Sequence, residues 1–187
     1  MGKLITFNFV TLNGYFKGPG EDISWNKDND PEKSAYALEG LKSKSTLLFG
    51  RRTYEMMASF WPTPDAQKFA PAMAEGMNMA EKIVFSTTLK KAEWNNTRII
   101  KDNIVEEVKK MKQEPGRNMT ILGSGSIITR FAEKGLIDEY QIMIDPLALG
   151  DGTPLFKGIS SRLDLKLTSS RIFKSGAVLL CYAPAAR

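Results

Sequence analysis

Twice in this chain a short apolar run ends in glycine and passes at once into a helix-forming stretch. The first is Thr46-Leu47-Leu48-Phe49 followed by Gly50-Arg51-Arg52-Thr53-Tyr54-Glu55. The second is Met119-Thr120-Ile121-Leu122 followed by Gly123-Ser124-Gly125-Ser126. Short continuous apolar runs read as strands buried on both faces, which belong to parallel sheets covered by helices. Such units commit the chain to an α/β fold. They also carry chemistry: a helix start exposes unpaired N–H groups and the positive end of the helix dipole, where an anion is stabilised. Glycine lets a ligand come close to the backbone, and Arg51 or Arg52 can grip a phosphate bidentately. The competing reading is an ordinary turn with solvated arginines. In open α/β sheets ligands bind outside the carboxyl ends of the strands, so the two junctions can share one crevice. Two separated anchor points suit an extended ligand such as a dinucleotide.

The rest of the chain alternates in the same way. Lys3 to Val10 is a strand leading to the turn Asn13-Gly14. Asp30-Pro31 reads as an N-cap followed by proline at the first helical position, with Ala37, Leu38 and Leu41 as the apolar spacing of a helix ending near Lys44. Pro64 and Pro71 divide residues 63–80 into short helical pieces. Lys82-Ile83-Val84-Phe85 is a strand running into Ser86-Thr87-Thr88, and Thr97 to Lys101 is another. Asn103 caps an amphipathic helix whose stripe is Ile104, Val105, Val108 and Met111, with Glu106 completing a capping box. Glu139 to Ile144 alternates as a strand. Leu163 to Phe173 and Ala177 to Tyr182, joined at Lys174-Ser175-Gly176, form a terminal hairpin. No repeat, low-complexity tract or linker divides residues 1–187, so a single domain is expected. The fold class is a three-layer α/β/α sandwich, its sheet mostly parallel with antiparallel pairing at the C-terminal edge.

Composition narrows the chemistry. The chain has no histidine and one cysteine, Cys181. A His-based triad and a His-ligated metal are excluded, and a zinc centre is not expected. Cys181 sits in an apolar run and reads as a buried structural thiol. A single cysteine suits a reducing cytoplasm. No apolar run reaches the length of about 18 residues that spans a bilayer, and Leu4 to Val10 lacks the layout of a signal peptide. The net charge of +5 would suit an anionic partner, but the basic residues are scattered and no basic–aromatic stripe appears, so nucleic acid is not the expected ligand. A Rossmann fingerprint at Gly123-Ser124-Gly125 would place its third glycine where Ile128 stands. Asp145 lies at a fitting distance for a ribose-binding acid, yet only one strand and a hairpin follow.

Gly50-Arg51-Arg52-Thr53-Tyr54-Glu55 resembles the Gly-Arg-x-Thr-aromatic-Glu segment of the dihydrofolate reductase fold. Ile83-Val84-Phe85-Ser86 and Gly123-Ser124-Gly125 fall in that fold's order. Asp138-Glu139-Tyr140, Pro146-Leu147-Ala148-Leu149-Gly150-Asp151-Gly152 and Pro154-Leu155-Phe156 resemble the reductase domain of riboflavin biosynthesis (RibD C-terminal-like). Thr11-Leu12-Asn13-Gly14-Tyr15 resembles the Ser-Leu-Asp-Gly-Tyr segment of its stand-alone relatives.

The resemblance implies NADPH as hydride donor to a small heterocyclic (pyrimidine- or pterin-like) or carbonyl substrate, as in 5-amino-6-(5-phosphoribosylamino)uracil reductase. It assigns Gly50, Arg51, Arg52 and Thr53 to the cofactor's phosphates, and Ser86 and Thr87 to the adenosine 2′-phosphate. Gly123, Ser124, Gly125, Ser126 and Ile127 would take the pyrophosphate and nicotinamide end. Glu32 stands near the place of the reductase's catalytic acid. Asn13, which replaces an Asp of the relatives, Tyr15 and Trp25 are candidate walls of the substrate pocket. The zinc deaminase half of the bifunctional enzyme is missing. A homodimer through the C-terminal strands is implied. The alternative is a dinucleotide-binding module of the same fold without turnover.

Overall fold

The computed structural model describes residues 1–26, 30–43 and 45–185. Ten strands and six helices follow in the order β1 (Leu4–Thr11), β2 (Tyr15–Lys17), α1 (Pro31–Lys42), β3 (Thr46–Gly50), α2 (Arg51–Phe60), α3 (Pro64–Phe69) and α4 (Pro71–Met79). Then come β4 (Lys82–Phe85), β5 (Thr97–Ile100), α5 (Ile104–Gln113), β6 (Met119–Leu122), α6 (Gly125–Glu133), β7 (Glu139–Asp145), β8 (Thr153–Pro154), β9 (Leu165–Ile172) and β10 (Val178–Pro184). The main sheet has the order β5-β4-β3-β6-β1-β7-β10-β9, and β2 pairs with β8 in a small second ladder. β1, β3, β4, β5, β6 and β7 run parallel, while β10 lies antiparallel between β7 and β9. The expected mostly parallel sheet with an antiparallel C-terminal edge is what forms.

Each face of the sheet has its own packing. Leu4 and Val10 of β1, with Leu48, Ile83 and Ile121, pack under α5 and α6 in the larger core, which contains Val108, Ile128 and Phe131. On the other face Leu47, Phe49 and Val84 pack with Tyr54, Met77 and Trp94. Met143, Leu179 and Cys181 pack there with Phe7, Phe9 and Tyr36. Along β1 the even positions are buried while Ile5, Phe7 and Phe9 are only half-buried. Period-two alternation thus leaves an apolar strip that α1 does not fully cover.

Local signals set the helix ends. Asp30 caps α1, its carboxylate accepting from the N–H groups of Glu32 (2.9 Å) and Lys33 (3.4 Å), with Pro31 at the first turn. The helix ends at Lys42, and the expected end at Lys44 lies outside the described residues. Pro64 and Pro71 open α3 and α4 rather than merely interrupting a helix, because proline's missing N–H is not needed at the first position. Asn103 departs from expectation. It stands before α5 in the left-handed region (φ 52°), and its side chain makes no cap hydrogen bond. An N-cap side chain reaches the helix N–H groups from the β region, which this backbone leaves. Glu106 pairs instead with Lys109 at 2.9 Å.

Candidate functional site

The two glycine junctions meet. β3 and β6 are neighbours, so both helix starts emerge at the same sheet end, and the Gly50 N–H donates to Ser124 Oγ at 2.7 Å. A side chain on Gly50 would stand 3.3 Å from Ile127 Cγ1 and from Ser124 Oγ, so its absence lets the junctions close on each other. Gly123 has φ +61°, and an added Cβ would lie 2.9 Å from Thr53 Cγ2. Neither helix start is capped by a side chain: Gly50 has none, and Ser124, itself left-handed at φ 60°, spends its hydroxyl on Gly50. The first N–H groups of α2 and α6 are therefore left for a ligand.

The other assigned cofactor residues lie around this point. Thr53 is buried against Gly123, while Arg51 and Arg52 are exposed, Arg51 3.8 Å from Glu55 and Arg52 3.5 Å from Glu21. Ser126 is exposed and Ile127 buried. Ser86 directly follows β4, two strands from β6, and its Oγ accepts from the N–H groups of Thr88 (3.2 Å) and Leu89 (2.9 Å) in a turn. Thr87 beside it is exposed.

From Thr53, Leu122 and Gly123 a cleft of about 720 Å³ runs across the sheet between α1 on one side and α2 to α4 on the other. Its floor includes Ile5, Phe7 and Phe9, and its far wall Met57, Phe60, Trp61 and Met73. Polar side chains also line it, among them Asn8, Lys17, Glu39, Thr120 and Gln141. Another is Lys33, whose position on α1 faces inward: the residue is 3% exposed, its Nζ donates to Asp145 Oδ1 at 2.5 Å and to Asn26 Oδ1 at 3.0 Å, and it lies 5.1 Å from the centre of the Phe9 ring. Asp145, at the end of β7, keeps Oδ2 buried without a hydrogen-bond partner among the described residues, as does Trp25 with Nε1. Trp25 lines this cleft and also a second, outer cavity of about 520 Å³ that includes Asp145, Glu32 and Lys174.

The acceptor-side candidates separate. Trp25 lines the cleft, but Asn13 and Tyr15 are not among its lining residues. Asn13 is exposed and ties two loops together, its Nδ2 donating to the Leu149 carbonyl at 2.8 Å and its Oδ1 accepting from Thr11 Oγ1 at 2.8 Å. Tyr15 is in β2, paired with Pro154. Glu32 is on the outer side of α1, facing Arg171 and Lys174, each at 3.5 Å, and it lines the outer cavity. The residue that α1 turns into the cleft is the next one, Lys33. Sequence reading passed over it because a lysine in an amphipathic helix is ordinarily assigned to solvent. Its partner Asp145 had been noted only as a ribose-binding acid of a Rossmann fold, which this strand order is not.

This sheet order and cleft define an α/β chain of the dihydrofolate reductase type. Dihydrofolate reductase from Enterococcus faecalis, in complex with NADP(H), superposes with a TM-score of 0.65 at 16% identity over 99% of this chain and 98% of that one. Within that class, the model of the RibD C-terminal domain matches residues 2–179, and the chain belongs to this family. The Bacillus subtilis protein YyaP is 34% identical over 176 residues, 92% of this chain and 90% of its own. A riboflavin biosynthesis protein of Shewanella, so described provisionally, has a TM-score of 0.77 at 22% identity, covering 98% of this chain and 99% of that one. The chain is thus reductase-related. Among the described residues no helix is long and apolar enough to cross a membrane.

Proposed function

We propose that this chain is an NADPH-dependent reductase that passes a hydride to a small heterocyclic or carbonyl acceptor held between α1 and α2. The observation that carries the reading is the joined pair of uncapped helix starts, Gly50 N–H on Ser124 Oγ at 2.7 Å, opening directly on the cleft. The donor set suits a dinucleotide: backbone N–H groups and the dipole of each helix favour phosphate oxygens, and Arg51 and Arg52 add charge at the rim. In this reading Arg51, Arg52 and Thr53 hold the phosphates, with Gly50 giving close approach. The Ser86 and Thr87 hydroxyls meet the 2′-phosphate. Gly123 to Ile127 cradle the pyrophosphate and direct the nicotinamide toward the cleft. The cofactor, when bound, supplies the hydride, and the protein contributes position, exclusion of water and a proton.

The test is fluorescence titration of the purified protein with NADPH and NADH. Saturable binding is expected, tighter for NADPH, with Arg52→Ala weakening NADPH more than NADH. Absence of saturation with either nucleotide contradicts the reading. A second reading, a dinucleotide-binding module without turnover, draws support from Glu32 standing outside the cleft. Tight NADPH binding with no oxidation against pterins, pyrimidines and quinones would favour it.

The single buried cysteine fits the cytoplasm as the working compartment. A homodimer has support in β9, an outer strand of the sheet, where Leu167 and Ile172 are exposed.

A further inference from the structure

The cleft's lining describes its occupant. Phe7, Phe9, Met57, Phe60, Trp61 and Met73 form an aromatic and thioether surface suited to a flat, weakly polar ring system. Among the described residues the cations lining the cleft are Lys17 and Lys33, and each already faces a carboxylate: Lys17 is paired with Glu21, and Lys33 with Asp145 at 2.5 Å. A phosphate on the acceptor would find no unpaired cation among these described residues, and removing its charges from water without one is costly. The ammonium of Lys33 nevertheless sits at the cleft with two of its three hydrogens on Asp145 and Asn26. Asp145 borders the outer cavity on the other side of α1's first turn. Trp25 Nε1, buried and without a partner among the described residues, adds a donor at the border of the two cavities.

We infer that the acceptor is an uncharged, flat aromatic or heteroaromatic ring compound bearing a carbonyl group, and that Lys33, held by Asp145, is its proton donor. The inference rests on the NADPH reading above. NADPH, when bound, would supply the hydride that becomes the new C–H bond at the acceptor's carbonyl carbon, leaving NADP⁺. The carbonyl π pair moves to oxygen, which takes a proton from Lys33 Nζ and becomes a hydroxyl. Lys33, left as the amine beside the Asp145 carboxylate, regains a proton from solvent in the outer cavity. In sum, NADPH, a solvent proton and the carbonyl give NADP⁺ and the alcohol. An ammonium held in place by a carboxylate is a positioned acid of the kind that accelerates such steps by about 10²-fold or more.

The test uses the full chain with phenanthrenequinone as acceptor probe under anaerobic conditions, followed by NADPH absorbance, with NADPH binding measured separately by fluorescence. Saturable NADPH oxidation is expected, with 5-amino-6-(5-phosphoribosylamino)uracil oxidising NADPH more slowly. Lys33→Met should lower kcat by about 10²-fold with the NADPH Kd unchanged, as expected for a lost general acid. Because Lys33→Met leaves Asp145 buried without its cation, Gly40→Leu provides a second arm. Gly40 lies in α1 on the cleft, and a Cβ built there meets nothing within 4 Å, so the larger side chain enters open space in a helix that gains from losing glycine. This variant should raise the KM for phenanthrenequinone at least tenfold and leave the NADPH Kd unaltered. NADPH binding without oxidation of phenanthrenequinone above the uncatalysed rate overturns the acceptor class while the cofactor reading stands. The same holds if the phosphoribosyl compound is the faster acceptor. A Lys33→Met kcat equal to wild type overturns the proton donor. Failure to bind NADPH at all overturns the reading beneath both.

Discussion

Ser124 is where two distant parts of the chain become one site. Its hydroxyl satisfies the buried Gly50 N–H across 74 residues of sequence, and its left-handed backbone (φ 60°) turns the chain from β6 into α6. Ser124→Ala keeps the turn but leaves that N–H without a partner. A buried donor left unsatisfied costs about 1–3 kcal/mol, which denaturant unfolding should register as a lower midpoint with an unchanged slope. A midpoint equal to wild type would mean that the junction is not held by this bond. The glycines on either side were legible in the sequence because the strand-glycine-helix pattern is local. Lys33 was not. Its burial is decided by Asp145, 112 residues away, and helical periodicity carries no information about such a partner. Glu32, one position earlier, has the residue type suited to an acid but faces the outer side of α1.

At the scale of elements, α1 is one wall of the cleft, and Asp30 anchors its start. One carboxylate caps the helix and also accepts from the Ser175 N–H at 3.0 Å, tying α1 to the hairpin between β9 and β10. Hydrogen bonds from Ser175, side chain first and backbone next, hold the Asp30 carboxyl at about 2, below its ordinary 3.8. The sign follows from proton binding. Between those values the unfolded chain holds the proton and the folded chain does not. The contribution is therefore complete above about pH 4 and is lost as the pH falls toward 2. Asp30→Ala should lower the melting temperature at pH 7 and flatten its decline over that acid interval. An unchanged acid profile would count against Asp30 as the tie. The order of strands and helices was largely readable, since proline, glycine and apolar spacing act within a few residues. Asn103 was the exception, because a left-handed backbone is a property of the turn rather than of the residue type.

For the whole molecule, the sheet's two faces have divided their work. α5 and α6 seal one face, and the other leaves β1 partly bare, which makes the cleft a consequence of the layer arrangement rather than of a loop. One edge of the sheet is β9, six of whose residues after Leu165 run exposed before Ile172, itself 78% exposed. If that edge joins two copies, light scattering should report a dimer for the wild type and a monomer for Ile172→Lys. A wild-type monomer at the same concentration would remove the interface. The cleft was the least legible part of the sequence, because its walls come from β1, α1, α2 and α4, which only the fold brings together.

The most direct test of the account is the structure of this chain with NADPH bound. The account predicts the pyrophosphate against the N–H groups that follow Gly50 and Ser124, the 2′-phosphate beside Ser86 and Thr87, and the nicotinamide at Gly123 facing along the cleft toward Lys33. A dinucleotide bound elsewhere, or none at saturating concentration, would contradict it.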